Sequence, residues 1–200
     1  MYSKYPHLVL GFHGTDEKIA DKVIQKKETL EYKNNPYDWL GHGVYFWESN
    51  PERAMEYACE LQKRGKLNKP AVVGAVLDLG NCLNLLDSKY LSFVKSAYKF
   101  YSDFCHKENI LIARNKDIGG SSDLLLRHLY CAVIETLHGM RNDEKLDAFS
   151  SVRGAFLEGA PLYENAGFKE KNHIQICIRN PNCIKGLFYP LDKHADYDIP

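Results

Sequence analysis

Hydrophobic and polar positions predict a strand and a helix at the start of the chain. The apolar run LVLGFH at residues 8–13 predicts a strand. Residues 16–28 carry apolar side chains at helical spacing after a capping residue, Thr15 or Asp16, and predict an amphipathic helix. The next segment, 33–43, is rich in Asn, Pro and Gly and predicts a loop.

A second strand, helix and strand follow this loop. The aromatic run VYFWE at 44–48 predicts a short strand. Residues 49–65 predict a helix, because a Ser-Asn pair and a proline open the segment and a glycine closes it. The long apolar run at 70–80 predicts another strand.

The second half of the chain begins with a different pattern. Residues 87–146 contain two stretches with helical spacing joined by a polar, Gly-rich linker, which indicates a helical insertion rather than more sheet. Strands return at 150–159, 172–180 and 184–190. Strands at both ends with helices between them predict an α+β fold.

Size and composition limit the classes of protein that fit. The chain of 200 residues suits a single domain over residues 1–200. Lys plus Arg number 26 and Asp plus Glu number 26, so no overall basic charge favours nucleic acid, although a local basic groove stays open. The six cysteines include no CxxC pair, which favours reduced, buried thiols and no metal site.

The N-terminus and the hydropathy of the chain suggest where it works. The first residues lack the long apolar core and cleavage site of a signal peptide. No apolar run reaches the ~18 residues that a membrane helix needs. We therefore expect a soluble, cytoplasmic protein without a membrane partner.

Two short motifs end and begin neighbouring predicted strands. The first strand runs into His13-Gly14-Thr15, which places an imidazole beside accessible backbone. The second strand opens with Gly41-His42-Gly43 and continues into Tyr45. Each motif alone also fits an ordinary turn that leads into or out of a core strand.

In order and spacing these motifs resemble the catalytic domain of ADP-ribosyltransferases of the poly(ADP-ribose) polymerase type, the H-Y-E group. That fingerprint starts with His-Gly-Ser/Thr and continues with Gly-x-Gly-Ile-Tyr-Phe and a helix holding Ser-Ala-x-Tyr, here Ala54 and Tyr57. Residues 72–85, 150–154 and 161–189 resemble its later strands. The likeness omits the insertion and implies a split β-sheet core.

The resemblance implies NAD⁺ as cosubstrate, with His13, Gly14, Thr15 and Tyr45 at its site. His13 would hold a hydroxyl of the adenosine ribose, and Thr15 would support the turn. The backbone of Gly14 would pair with the nicotinamide carboxamide. The further expected cofactor contacts are Gly43, Ala54, Tyr45 and Tyr57, and the two tyrosines would sandwich the nicotinamide ring.

The third catalytic position departs from the family. A glutamate opens the penultimate strand there, and this chain offers Gln175 in the sequence His173-Ile174-Gln175-Ile176. Glu158 is the expected substitute acid, with Glu164 also near. In the family, loss of the glutamate accompanies transfer of single units, so we expect mono-ADP-ribosylation.

The acceptor and the biological setting are less specified. The insertion interleaves aromatic residues with lysines, which suits either stacking on nucleic-acid bases or burial of one helix face. A compact transferase suits a toxin, effector or phage-defence enzyme, with a neutralising antitoxin as partner.

Three rival functions remain open on the sequence. An NAD-dependent RNA 2′-phosphotransferase would need arginines that converge on a phosphate, for which Arg153 and Arg179 are available. A catalytically inactive module that binds NAD⁺ or ADP-ribose fits Gln175. An interaction protein would use the motif residues as core.

Overall fold

The computed structural model describes residues 8–117 and 123–192. Its strands and helices follow the chain in the order β1 (Val9–Asp16), α1 (Glu17–Ile24), β2 (Val44–Glu48), α2 (Pro51–Lys63), β3 (Pro70–Leu77), β4 (Cys82–Asn84), α3 (Ser88–Lys107), α4 (His128–Asp143), β5 (Ser151–Phe156), β6 (His173–Ile178) and β7 (Ile184–Phe188). The mixture of strands and helices confirms an α+β composition. The insertion after β4 is helical, as predicted.

The strands form one sheet in the order β4-β5-β6-β2-β1-β3-β7. Only the short edge pair β4 and β5 is parallel, and every other neighbouring pair is antiparallel. The sheet therefore brings the N-terminal strands β1 and β2 to its centre, next to β6 from the C-terminal part. The His13-Gly14-Thr15 motif lies on β1, and Gly41-His42-Gly43 directly precedes β2, which carries Tyr45.

Side chains alternate between the two faces of the sheet, and a different set of helices covers each face. Phe46, Val73 and Ile176 point to the face covered by α1. Leu83, Val152 and Cys177 point to the opposite face, where they pack with α3 and α4. Helix α2 covers Phe12 and Trp47 on this second face.

Most helix ends match the sequence signals. Asp16, one of the two expected caps, accepts a hydrogen bond from Lys18 N and begins α1. The same carboxylate accepts from the main-chain N–H groups of Asn68 and Lys69. These three bonds lower the pKa of Asp16. Helix α1 ends at Ile24, short of the predicted residue 28, and an isolated bridge between Lys33 and Gly43 lies in the predicted loop.

The packing of α2 on β1 depends on Gly14. A Cβ atom built there would lie 2.2 Å from the carbonyl oxygen of Ala54 and 3.3 Å from Cβ of Ala58. Both alanines are fully buried on α2. The absence of a side chain at Gly14 thus lets the helix backbone approach the strand.

Replacing Gly14 with alanine should therefore destabilise the protein by about 1–3 kcal/mol or more, because the opposing atom is backbone and cannot rotate away. Gly139→Ala is the matched control. It lies on α4 with no atom within 4 Å of its Cβ position and should stabilise by up to about 1 kcal/mol. Chemical denaturation measures both, and equal stability of the two variants would contradict the packing described.

His138 on α4 makes stability depend on pH. Burial is the largest cause that lowers its pKa, to about 4, and the nearby Arg179 lowers it further. The unfolded chain then binds a proton that the folded chain does not, so stability is complete above pH ~6.5 and falls as the pH drops toward 4. The loss attributable to His138 is of the order of 3 kcal/mol at most. His138→Phe should flatten this part of the stability curve, and an unchanged slope would refute the assignment.

Candidate functional site

Strands β1 and β2 are neighbours in the sheet but separate after two residue pairs. We call the unpaired stretch beyond these pairs, near the two sequence motifs, the split. Only Gly11 with Glu48 and Phe12 with Trp47 are paired between these strands. Beyond them, β1 continues along β3 to Asp16, while Val44, Tyr45 and Phe46 of β2 pair only with β6. The facing edges of both strands are therefore open from residue 13 of β1 onward.

The open edge of β1 presents the backbone of Gly14. Ser49 N donates to Leu10 O on the β2 side, and Glu17 N donates to Lys69 O on the β3 side. Because backbone groups alternate along a strand, the N–H and C=O of Gly14 point toward β2 like those of Leu10. The β1–β2 register ends before Gly14, so these two groups have no partner on β2.

The imidazole of His13 enters the split. Its Nδ1 lies 2.8 Å from the carbonyl oxygen of Tyr45. A carbonyl only accepts, so Nδ1 carries the proton and the neutral ring has its lone pair on Nε2. Burial lowers the pKa of His13, which favours this neutral form, and Nε2 makes no hydrogen bond to the described residues. His13 thus offers one acceptor next to the open edge of Gly14.

The side chain of Tyr45 lies on the other face of the sheet. His13 contacts Phe46 on the α1 face, with ring centroids 5.9 Å apart, whereas Tyr45 packs against the cluster under α3 and α4. Its hydroxyl donates to Gly41 O at 2.7 Å and accepts from Leu40 N at 3.0 Å. The structure therefore brings His13 to the main chain of Tyr45 and gives the phenol a role in holding the preceding loop.

Trp47, which the sequence analysis did not single out, contacts the expected residue Tyr57. Their ring centroids are 5.1 Å apart, and Tyr57 is 37% exposed while Trp47 is buried. Ala54 is fully buried beside them. Alternate residues of a strand share a face, so the sequence already indicated that Trp47 lies on the same face as Tyr45.

Gln175 lies on the penultimate strand, as expected, but as its third residue rather than its first. β6 begins at His173, two residues earlier. The amide oxygen of Gln175 accepts a hydrogen bond of 2.6 Å from the indole Nε1 of Trp39. In the strand register Gln175 pairs with Trp47, so it shares a face with Tyr45 as a diagonal neighbour. A catalytic role for Gln175 stays a prediction.

Glu158 is held in an ion pair. Its Oε2 lies 3.1 Å from Nη2 of Arg53 on α2, and its side chain is only 15% exposed. The carboxylate of Glu158 is therefore paired and mostly shielded from solvent. Since Arg53 precedes Ala54, this contact brings Glu158 to the helix that packs against Gly14.

Packing explains two other expected contact residues. Gly43 exchanges hydrogen bonds of 2.9 and 3.0 Å with Lys33, and a Cβ atom there would lie 2.5 Å from Cys177 Sγ. Its backbone groups are therefore occupied, and its small size serves the contact with β6. Thr15 is buried on β1, opposite Ala71 of β3.

His42 contacts a charged pair, Glu135 and Arg179, that was not predicted from the sequence. Its ring Nδ1 lies 3.6 Å from Glu135, and its main-chain N–H donates to the same carboxylate at 2.8 Å. Arg179 binds Glu135 at 2.5 and 3.2 Å. Burial raises the pKa of Glu135, but the hydrogen bonds from Arg179 and His42 outweigh it, so the net shift is downward. Gly41, with φ of 79°, permits the turn that aims His42 at this carboxylate.

The two arginines of the phosphotransferase alternative are both bound to carboxylates. Arg153 is buried and binds Glu48 at 2.5 and 2.8 Å. Arg179 binds Glu135 at the end of β6, as described above. The two guanidinium groups therefore serve separate acidic partners, which disfavours a shared phosphate site.

The aromatic residues of the insertion divide between core and surface. Tyr90, Phe93 and Tyr101 pack against the buried cluster of α3 and α4. Tyr98, Phe100 and Phe104 are about half exposed on α3. Burial of one helix face therefore accounts for the first three residues, whereas the last three are exposed enough to stack on a nucleic-acid base.

The chain is similar in sequence to an archaeal protein. An uncharacterized protein of Methanocaldococcus jannaschii, MJ0359, is 24% identical over 210 aligned positions, which cover 92% of this chain and 89% of that protein. No family model and no solved structure matches the chain. Within residues 8–117 and 123–192, no helix is long and apolar enough to cross a bilayer, and no three metal-binding side chains converge.

Tyr45→Phe should destabilise the protein by about 1–3 kcal/mol, because it leaves the buried Leu40 N–H and Gly41 C=O without their partner. Tyr98→Phe, a change on the exposed side of α3, should stay within about 0.5 kcal/mol of the wild type. Thermal unfolding of both variants checks this. Equal stability would show that the Tyr45 hydroxyl does not hold the loop.

Proposed function

We propose that this protein is a mono-ADP-ribosyltransferase that cleaves NAD⁺ at the bond between nicotinamide and ribose and transfers ADP-ribose to a macromolecule. The observation that carries the proposal is the split between β1 and β2, which leaves the N–H and C=O of Gly14 without a paired residue on β2, beside the imidazole of His13. The sequence resemblance adds the expected order of motifs.

The open edge of Gly14 suits the carboxamide of nicotinamide. A carboxamide has an oxygen that accepts and an N–H that donates, so it can bond both backbone groups of one residue as a neighbouring strand would. The Cβ direction of Gly14 faces α2, so the ligand would approach along the strand edge. This pairing would fix the plane and the orientation of the leaving ring.

The neutral imidazole of His13 suits a ribose hydroxyl. Its Nδ1–H is used by Tyr45 O, and its Nε2 is left to accept from a hydroxyl donor. The lowered pKa keeps this acceptor available at neutral pH. His13 would thereby hold the adenosine ribose while Gly14 holds the nicotinamide.

The reaction itself needs charge stabilisation more than acid catalysis. Nicotinamide leaves as a neutral molecule, and the ribose develops oxocarbenium character like that in glycoside hydrolysis. A carboxylate near the ribose would stabilise this charge. Glu158 is the candidate, and its ion pair with Arg53 reduces its effective charge, which agrees with slow transfer of single units rather than polymer.

The acceptor would be a protein or a nucleic acid. Tyr98, Phe100 and Phe104 of α3 are half exposed and Lys95 and Lys99 lie on the same helix, which suits stacking and phosphate contacts with such an acceptor. Such an enzyme depletes NAD⁺ or modifies essential macromolecules. We therefore also propose a toxin or defence role in the cytoplasm with a neutralising antitoxin partner.

The second candidate is a module that binds NAD⁺ or ADP-ribose without cleaving it. Two observations favour it: β6 carries no carboxylate, and Glu158 is already paired. This candidate shares the split between β1 and β2 and differs only in whether nicotinamide is released.

Incubation with NAD⁺ separates these functions. Wild-type protein should release nicotinamide and attach single ADP-ribose units to an acceptor in lysate, DNA or RNA. His13→Ala should lower the rate by roughly 10²-fold, since it removes a preorganised contact. His106→Ala, on the exposed side of α3, is the matched control and should keep the wild-type rate.

The outcomes decide between the candidates. Binding of NAD⁺ without nicotinamide release would establish the binding module. Polymer formation would refute single-unit transfer, and neither binding nor release would refute the site. If Glu158→Ala lowers the rate more than Gln175→Ala does, the acid that supports the ribose is Glu158.

A further inference from the structure

Three buried side chains beside the split have polar atoms without partners. Trp47, Arg53 and His173 are 5%, 6% and 8% exposed. Nε1 of Trp47, Nε of Arg53 and Nε2 of His173 are all buried and make no hydrogen bond within residues 8–117 and 123–192. Nη1 of Arg53 makes none either, but it lies 3.5 and 3.9 Å from the carboxylates of Glu56 and Glu60. A buried polar atom that lacks a partner is unfavourable, and groups of them in one place call for an explanation.

These atoms belong to one cluster around the indole of Trp47. The guanidinium carbon of Arg53 lies 5.9 Å from the centroid of that ring, and the ring of His173 lies 6.3 Å away. Trp47 is also the residue nearest the split at which β2 still pairs with β1, and Arg53 precedes the alanine that contacts Gly14. The cluster therefore adjoins the split through Trp47 on β2 and Arg53 on α2.

The cluster offers donors and one acceptor. Trp47 and Arg53 present N–H groups only. Nδ1 of His173 lies 2.7 Å from Lys171 O and must donate, so the neutral ring leaves Nε2 as an acceptor. Burial lowers the pKa of His173, which favours this neutral form. A ligand group that satisfies the cluster must both accept and donate.

The charges around Arg53 disfavour an anion. Its guanidinium lies 3.1 Å from Glu158, 3.5 Å from Glu56 and 3.9 Å from Glu60. These carboxylates offset the one positive charge, so a phosphate or a carboxylate would meet repulsion. A neutral group with a donor and an acceptor, such as a carboxamide or a sugar hydroxyl, fits the cluster instead.

We propose that Trp47, Arg53 and His173 form a buried hydrogen-bonding subsite for a neutral group of the ligand, either the carboxamide or a ribose hydroxyl. Tyr57, which is partly exposed and contacts the indole, is the side chain that moves to admit it. The inference rests on the proposed function, because it takes the ligand to be NAD⁺ or a part of it.

Calorimetry with nicotinamide and with ADP-ribose tests the subsite. Trp47→Phe keeps an aromatic side chain but removes the indole N–H. His173→Phe removes the acceptor Nε2, together with the hydrogen bond from Nδ1 to Lys171 O. Each variant should weaken one of the two ligands about tenfold and leave the other unchanged. Loss of nicotinamide affinity assigns the carboxamide, and loss of ADP-ribose affinity assigns the hydroxyl.

Controls separate binding from folding. Trp47→Phe also removes buried ring atoms, so the lost packing should lower its melting temperature, and the affinities are therefore compared at a temperature at which both proteins are folded. His173→Gln retains an acceptor and should recover part of the affinity that His173→Phe loses. His138→Phe, which replaces another buried histidine with an unpartnered Nε2, should bind both ligands like the wild type.

The results distinguish this inference from the proposed function. Wild-type affinity for both ligands in Trp47→Phe and His173→Phe would overturn the subsite. Wild-type protein that binds these ligands but releases no nicotinamide would overturn the transferase and keep the subsite. Wild-type protein that binds neither ligand would overturn both.

Discussion

The early end of pairing between β1 and β2 is the constraint on which the site depends. The imidazole of His13 takes the carbonyl of Tyr45, which would otherwise receive the N–H of Gly14. Helix α2 packs against Gly14 from one side and fixes its position on β1. The result is an antiparallel edge that is rigid yet unpaired, in the middle of a sheet where backbone groups are normally satisfied. A planar amide is the ligand that such an edge accepts with the least rearrangement.

Near the split the histidines are neutral and the arginines are paired with carboxylates. Glu48 holds Arg153, Glu135 holds Arg179, and Glu158 holds Arg53. Burial lowers the pKa values of His13 and His173. Because each guanidinium group is paired with a carboxylate, its charge is offset, which favours neutral carboxamide and hydroxyl groups over phosphate. The same pairing explains why the arginines that suggested a phosphotransferase do not support one.

Local patterns were sufficient to predict the central strands, the helical insertion and the positions of His13 and Gly14. Local patterns did not predict features that depend on contacts between residues far apart in the chain. The split depends on the partner of Tyr45 O, the Glu135–Arg179 pair joins α4 to the end of β6, and the reason for Gly43 is its contact with Cys177. Gln175 was expected on the penultimate strand, but the hydrogen bond that its amide accepts from Trp39 joins distant parts of the chain, which no local pattern shows. Trp47 was visible as a neighbour of Tyr45 on the same face, but its unpartnered N–H appears only after α2 and His173 bury it.

The most direct test of the account is nuclear magnetic resonance of Gly14 with and without nicotinamide. In the free protein, no scalar coupling across a hydrogen bond should join Gly14 N to the carbonyl carbon of Tyr45, and saturating nicotinamide should shift the Gly14 amide proton downfield while Gly74, inside the sheet, stays unchanged. A coupling between Gly14 and Tyr45 in the free protein, or a Gly14 signal that ignores nicotinamide, would contradict the split as a binding site.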